Sequence, residues 1–171
     1  VFKKIKSDSN FLFVDPQGFL RQKDSNSNVI LKKTDLDLSD VNAIKINPEE
    51  GQNIVSGSHD EMMLALQKKG IEYVLLTNKV DVSLLVKNRV YSLKLPNKTV
   101  HDTTGIGDIF CSAFTCTMLK EKDFLWALCF AAGSAQAALE SNNVGLQKIP
   151  KKGMVENNAS YFYNLVDFRD L

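Results

Sequence analysis

Three cysteines, two histidines and a single tryptophan are all that 171 residues supply of these types, and no two of the cysteines form a CxxC pair. Cys111, Cys116 and Cys129 are odd in number and share one apolar, helix-like stretch, so they read as reduced core residues of an intracellular protein. A metal site built on Cys111, Cys116 and His101 fits no usual zinc spacing and is set aside. Charge of one sign is also missing. Lys plus Arg number 21 against 20 Asp plus Glu, a net charge of +1, and the basic pairs are scattered, which excludes a nucleic-acid-binding stripe. The longest apolar run, Phe124 to Ala132, is far below the ~20 residues that cross a bilayer, and no signal-peptide pattern follows Val1-Phe2-Lys3-Lys4. A cytoplasmic protein with no membrane and no nucleic-acid partner is expected.

What is present is an ordinary globular composition, 44% hydrophobic and 24% charged, enough for one domain or part of one. Phe11-Leu12-Phe13-Val14 reads as a short buried strand stopped by the turn residues Asp15-Pro16-Gln17-Gly18. Asp24 to Asn28 is a solvated loop leading into an edge strand, Val29-Ile30-Leu31, and Ala43 to Ile46 is a further strand. Asn47-Pro48-Glu49-Glu50 then supplies an N-cap, a first-turn proline and first-turn acids, which start a helix. Ser58-His59-Asp60-Glu61 repeats the capping pattern ahead of an amphipathic helix over 59–69, stopped by Gly70.

Glu72 to Thr77 is the clearest strand, and two more, Val82 to Val86 and Val90 to Leu95, make a small antiparallel excursion. Three helices follow. One opens at Gly105-Ile106-Gly107 and carries Phe110, Phe114 and Met118, one begins at Asp123, and one runs from about Met154 to Leu165 with Tyr161, Phe162 and Leu165. Strands alternating with helices predict a doubly wound α/β fold, a mainly parallel sheet flanked by helices, in a single unit over 1–171.

The segment that carries chemistry is Asp102-Thr103-Thr104-Gly105-Ile106-Gly107-Asp108, directly before an apolar-periodic helix. Two glycines around one residue leave backbone N–H groups open to a ligand, and the helix dipole adds partial positive charge. Asp108 falls in the first turn, where the same field keeps a carboxylate ionised and able to take a proton. An anion cradle beside a fixed base is what phosphoryl transfer to a hydroxyl requires. The same letters also describe an ordinary tight turn followed by an acidic first-turn residue.

Asp102 to Phe110 resembles the signature of the ribokinase-like (PfkB-type) carbohydrate kinases, D-T-x-G-A-G-D-x-F. Six of its seven fixed letters recur, with Ile106 in place of alanine. Asn47 to Glu50 resembles the N-x-x-E element of that family, and the strand ending at Thr77 resembles its nucleotide-binding strand. The small-residue stretch Phe130 to Ala138 with Asn143-Val144-Gly145 resembles the elements flanking the adenine.

The resemblance implies an ATP-dependent kinase acting on a hydroxyl of a small sugar, polyol or nucleoside. Asp108 would be the base, and the amides of Gly105, Ile106 and Gly107 would stabilise the transferring phosphoryl group. Asn47 and Glu50 would bind magnesium through water, and Thr77 would contact the nucleotide. Asp102 and Thr104 match positions that in some members hold a monovalent cation, K+. The alternative is a weakened relative that binds nucleotide or ligand and regulates.

Each element also has a purely structural reading: Asn47 to Glu50 is a complete capping device, and Ala132-Gly133-Ser134-Ala135 suits close helix packing. Three departures from the family pattern stand out. Thr77-Asn78-Lys79-Val80-Asp81-Val82 lacks both glycines of T-x-G-x-x-G, Ala132 replaces an asparagine, and Gln17 and a displaced Arg21 alter a D-x-N element. Nothing corresponds to the family's N-terminal half. The expectation is therefore a C-terminal portion, completed by a longer polypeptide or a second chain, with a homodimer as one assembly.

Overall fold

The computed structural model describes residues 2–7, 10–96 and 102–171, so His101 lies outside the described residues. The chain divides into two compact units, one of 1–78, 83–91 and 168–171, the other of 79–82 and 92–167.

The first unit opens with a short helix, α1 (Phe2–Ser7), then β1 (Phe13–Val14), α2 (Gln17–Leu20), and the strands β2 (Arg21–Lys23) and β3 (Val29–Leu31). It continues through β4 (Ala43–Ile46), α3 (Pro48–Gln52), α4 (His59–Lys68) and β5 (Tyr73–Thr77). β1, β4 and β5 pair in parallel, with Val14 opposite Ile44 and Ile46 opposite Leu76. The strands β6 (Asp81–Val86) and β7 (Arg89–Lys94) are joined by Lys87 and Asn88, whose φ values of 48° and 64° give a two-residue hairpin turn with the twist that antiparallel neighbours need. The six-stranded sheet has the order β1-β4-β5-β6-β7-β8, where β8 is Asp167–Asp170 at the chain end, and β2 pairs antiparallel with β3 apart from it. The result is a mixed sheet of mostly parallel strands flanked by helices.

Alternation fixes the register. Ile44, Ile46, Val74 and Leu76 share one sheet face and bury with Met63 and Leu66 of α4, along with Val14, Leu38 and Leu85. Lys45 points the other way from mid-strand, and its ammonium meets the Asp15 carboxylate at 2.6 Å, just beyond the end of β1. A lysine so enclosed needs that partner. The far edge is held by polar contacts: the Arg89 guanidinium donates to Asp170 at 2.6 Å and lies over the Phe168 ring.

The second unit is mainly helical: α5 (Ile106–Glu121), α6 (Phe124–Leu139), a 3-10 turn (Gly145–Lys148) and α7 (Lys152–Tyr163). The Asp123 carboxylate caps α6 by accepting the Leu125 and Trp126 amides. α6 is buried on nearly every side from Ala131 to Ala138, where all its residues but Gln136 are small. At Gly133 an added Cβ would lie 2.9 Å from the Ala159 nitrogen and 2.9 Å from the Val155 oxygen, so the two helix backbones approach as no side chain there permits. The packing reading of this stretch therefore holds.

Some sequence expectations change. Of the cysteines only Cys129 is buried; Cys116 is exposed and Cys111 half-buried. Cys116 stands two residues from Phe114 and Met118, about 200° round the helix from that buried stripe. Burial pushes the Cys129 thiol up to about 12, so it is an inert core group. α7 starts and ends two residues earlier than expected and buries Val155, Ala159 and Phe162, leaving Tyr161 and Leu165 exposed. No described helix is long and apolar enough to cross a membrane.

Candidate active site

In the first unit, Asn47 and Thr77 stand at the carboxyl ends of the neighbouring parallel strands β4 and β5, the end of an open α/β sheet where ligands bind. The Thr77 hydroxyl donates to the Ile46 carbonyl at 3.4 Å. Asn47 and Glu50 hold one another in a capping box: the Asn47 side-chain oxygen accepts the Glu50 amide at 2.8 Å, and the Glu50 carboxylate accepts the Asn47 amide at 3.0 Å. Glu50 is buried and Asn47 partly so. The capping reading is thus realised in full. It leaves the Glu50 carboxylate with further lone pairs, because each oxygen accepts more than one bond.

No group of three or more His, Cys, Asp or Glu among the described residues could enclose a metal ion. Two oxygen-bearing side chains in one turn do suit magnesium, which retains most of its waters and takes one or two carboxylates with substrate phosphates.

In the second unit the helix start takes the form its sequence anticipates. Gly105 is the N-cap of α5 at φ 77°, a left-handed conformation that glycine adopts without strain, and among the described residues nothing lies within 4 Å of where a Cβ would be. The Ile109 amide closes the first helical bond on the Gly105 carbonyl at 3.0 Å. The Ile106 amide is engaged by the Thr103 carbonyl at 3.3 Å, which makes it less available than expected. The Gly107 and Asp108 amides have no backbone acceptor among the described residues, as in any helix first turn. Asp108 is exposed, and among the described residues nothing bonds its carboxylate.

The loop before Gly105 is organised by Asp102. One carboxylate oxygen accepts the Thr104 amide at 2.8 Å, and the other meets the Lys148 ammonium at 3.2 Å. The Thr104 hydroxyl and amide, then Lys148, hold the Asp102 carboxyl well below its usual range, at about 2. Lys148 also donates to the Asp102 carbonyl at 2.7 Å and the Thr104 carbonyl at 3.3 Å. Sequence reasoning missed this residue. A lone lysine 40 residues downstream of the signature, in Gln147-Lys148-Ile149-Pro150, has no local pattern to mark it as buried.

Comparison with known proteins gives a family and a fold. The family model described as "pfkB family carbohydrate kinase" matches residues 20–152. No curated protein matches. Among solved structures, a pyrophosphate-dependent kinase in the ribokinase family aligns with a TM-score of 0.75 at 18% identity, over 91% of this chain and 55% of that one. The ribokinase of Thermotoga maritima aligns at 0.71 and 17% identity, over 92% and 52%. Arabidopsis thaliana ribokinase complexed with ribose and ATP aligns at 0.68 and 20% identity, over 93% and 50%. The chain spans about half the length of these structures.

Proposed function

Because the chain belongs to the pfkB family of carbohydrate kinases, we propose that it is the phosphoryl-transferring portion of an ATP-dependent kinase acting on a hydroxyl of a small sugar, polyol or nucleoside. The observation that supports this reading best is the start of α5. A left-handed Gly105 is followed by the Gly107 and Asp108 amides, which have no backbone acceptor among the described residues, and by the exposed carboxylate of Asp108.

Phosphoryl transfer needs little covalent help from the protein; it needs alignment and stabilisation of charge. The Asp108 carboxylate takes the proton of the acceptor hydroxyl as its oxygen bonds to the terminal phosphorus. The bond from that phosphorus to the bridging oxygen breaks, and ADP leaves with the electron pair. The Gly105 and Gly107 amides, at the positive end of α5, balance the charge spread over the equatorial oxygens. Thr77 contacts the nucleotide. Asn47 and Glu50 would hold magnesium through water, and that ion, when bound, neutralises phosphate charge.

Residues outside these 171, in a longer polypeptide or a second chain, complete the acceptor site in this reading. Two facts support that: the chain covers about half of each related structure, and β1, only two residues long, forms one edge of the sheet. We place the enzyme in the cytoplasm, on its three free cysteines.

The test is ADP release by the full-length gene product with magnesium-ATP and a panel of pentoses, hexoses, inositols and nucleosides, run beside Asp108→Asn. The substitution preserves shape and removes the base, so turnover falls by about 10²- to 10⁴-fold with ATP binding little changed. Undiminished turnover in the variant would refute the role of Asp108. Heat stabilisation by ATP without release on any acceptor would favour the regulatory binding protein, a reading that gives the retained Asp108 no work to do.

A further inference from the structure

Lys148 closes the 3-10 turn after α6 and is 3% exposed, yet it carries a charge. Its ammonium faces three oxygens: the Asp102 carbonyl at 2.7 Å, the Asp102 carboxylate at 3.2 Å and the Thr104 carbonyl at 3.3 Å. An ammonium has three protons to donate, so each finds an acceptor. Two main-chain carbonyls and one carboxylate are also the donor set that holds a partly dehydrated monovalent cation, since such oxygens replace its water shell.

These contacts have a directional consequence. Across a trans peptide the C=O and the following N–H point in opposite directions. Turning the Thr104 carbonyl onto Lys148 therefore aims the Gly105 amide away from Lys148, and turning the Asp102 carbonyl onto it does the same for the Thr103 amide. The Asp102 carboxylate fixes the peptide between them by accepting the Thr104 amide at 2.8 Å. One buried ammonium thus sets the orientation of the loop that leads into the helix start.

We propose that Lys148 is a tethered cation that occupies the monovalent-cation position formed by Asp102 and Thr104, holding the loop before Gly105 in its anion-binding form so that the protein requires no free potassium. For its catalytic consequence this rests on the kinase reading above. The cation-binding part stands without it. Lys148 acts here as a positioning residue, through the backbone of the loop. A free ion leaves such a position when its concentration falls, whereas a tethered ammonium cannot diffuse away.

The experiment compares the full-length protein with Lys148→Ala and Lys148→Met in potassium, ammonium, sodium and choline chlorides at one ionic strength. Heat stability is read first, because it needs no substrate. The unaltered protein should melt at the same temperature in all four salts. The variants should melt lower, and be raised selectively and saturably by potassium or ammonium but not by choline. Turnover is read second. The unaltered enzyme should be indifferent to exchanging potassium for sodium. The variants should lose about 10- to 100-fold in kcat with acceptor KM little changed, and recover with potassium or ammonium.

Potassium stimulation of the unaltered protein over sodium, in either reading, would overturn the proposal. So would variants that no monovalent cation restores. If no acceptor supports turnover in any form, the kinase reading fails and the heat-stability arm still decides the role of Lys148. The variant that retains the aliphatic stem, Lys148→Met, keeps the test open should the alanine form not fold.

Discussion

Asn47 and Glu50 satisfy each other's backbone at 2.8 Å and 3.0 Å, so the pair proposed to hold magnesium is also the device that starts α3. The two roles separate in Glu50→Gln. Glutamine at the third helical position can still accept the Asn47 amide, so the capping box survives. Loss of the charge from the helix start should cost only about 0.3–1 kcal/mol in urea denaturation. Magnesium attraction depends on the charge, and the concentration needed for half-maximal turnover should rise about tenfold or more. Unchanged magnesium dependence in a stably folded Glu50→Gln would leave the residue a cap alone.

A second prediction concerns Gly133. In an exposed helix, replacing glycine by alanine gains about 1 kcal/mol. Here the sign reverses, because the new Cβ would stand 2.9 Å from backbone atoms of both Val155 and Ala159, which cannot swing aside as a flexible side chain does. Gly133→Ala should therefore destabilise by about 1–3 kcal/mol, the usual range for overpacking, and Gly133→Val by more. Equilibrium denaturation followed through Trp126 reports this directly, since that ring packs on Tyr163 in the same helical unit. A stabilised alanine variant would mean that α6 and α7 pack differently.

Where local chemistry dictated structure, the sequence was readable. Both capping boxes, the β4 and β5 strands and the glycine-led start of α5 are written in short-range patterns, and the helices carrying Phe110, Phe114 and Phe162 show their buried stripes by spacing. The short helices α1 and α2 and the 3-10 turn were not anticipated, and neither were two strands that exist through pairing. β2 is Arg-Gln-Lys, and it is a strand because the Asp24 carboxylate gathers the Asn26 and Asn28 amides into a turn that returns β3 alongside. β8, Asp-Phe-Arg-Asp, has all four residues exposed and is held by the Arg89–Asp170 and Arg169–Asp60 ion pairs. In the candidate site, the run from Asp102 through Gly105 to Asp108 and the helix start that it forms were legible from contiguous sequence. Lys148 was not, because its burial follows from a return of the chain that no local pattern encodes.

Asp102 carries a third prediction, on pH. Its carboxyl titrates at about 2 in the folded protein against an ordinary value of 3.8, because Thr104 and Lys148 bond the ionised form. A depressed folded value means the stabilisation is fully present above about pH 4 and is lost as pH falls through about 2. Asp102→Asn has no such titration. The stability difference between the two proteins, from denaturant titrations at fixed pH, should be constant from pH 7 to about 4.5 and shrink from about 4 towards 2. The side chain is 39% exposed, so solvent and salt screen the effect, and raising the ionic strength should reduce the difference. A difference flat to pH 2 would place the stabilising charge elsewhere.

The donor supplies the last prediction. The two positions where the resemblance leads one to expect glycine after Thr77 are Lys79 and Val82, and their surroundings differ. Val82 is 2% exposed in β6, a core residue of the strand and not a surface for ligand. Lys79 is exposed in the turn before that strand, where a cation can meet phosphate oxygens that a glycine would have met with its backbone. Replacing Lys79 by alanine should then raise the KM for ATP about tenfold with kcat nearly unchanged, as expected for a contact made equally in ground and transition states. The same assay should be run with pyrophosphate in place of ATP, because one of the structures sharing this fold is a pyrophosphate-dependent kinase. The expected result is turnover with ATP and none with pyrophosphate. If pyrophosphate gave the higher kcat/KM, the side chains at 79 and 82 would have their explanation in a donor with no base or ribose to accommodate, and Lys79→Ala should then weaken pyrophosphate binding and leave ATP without effect.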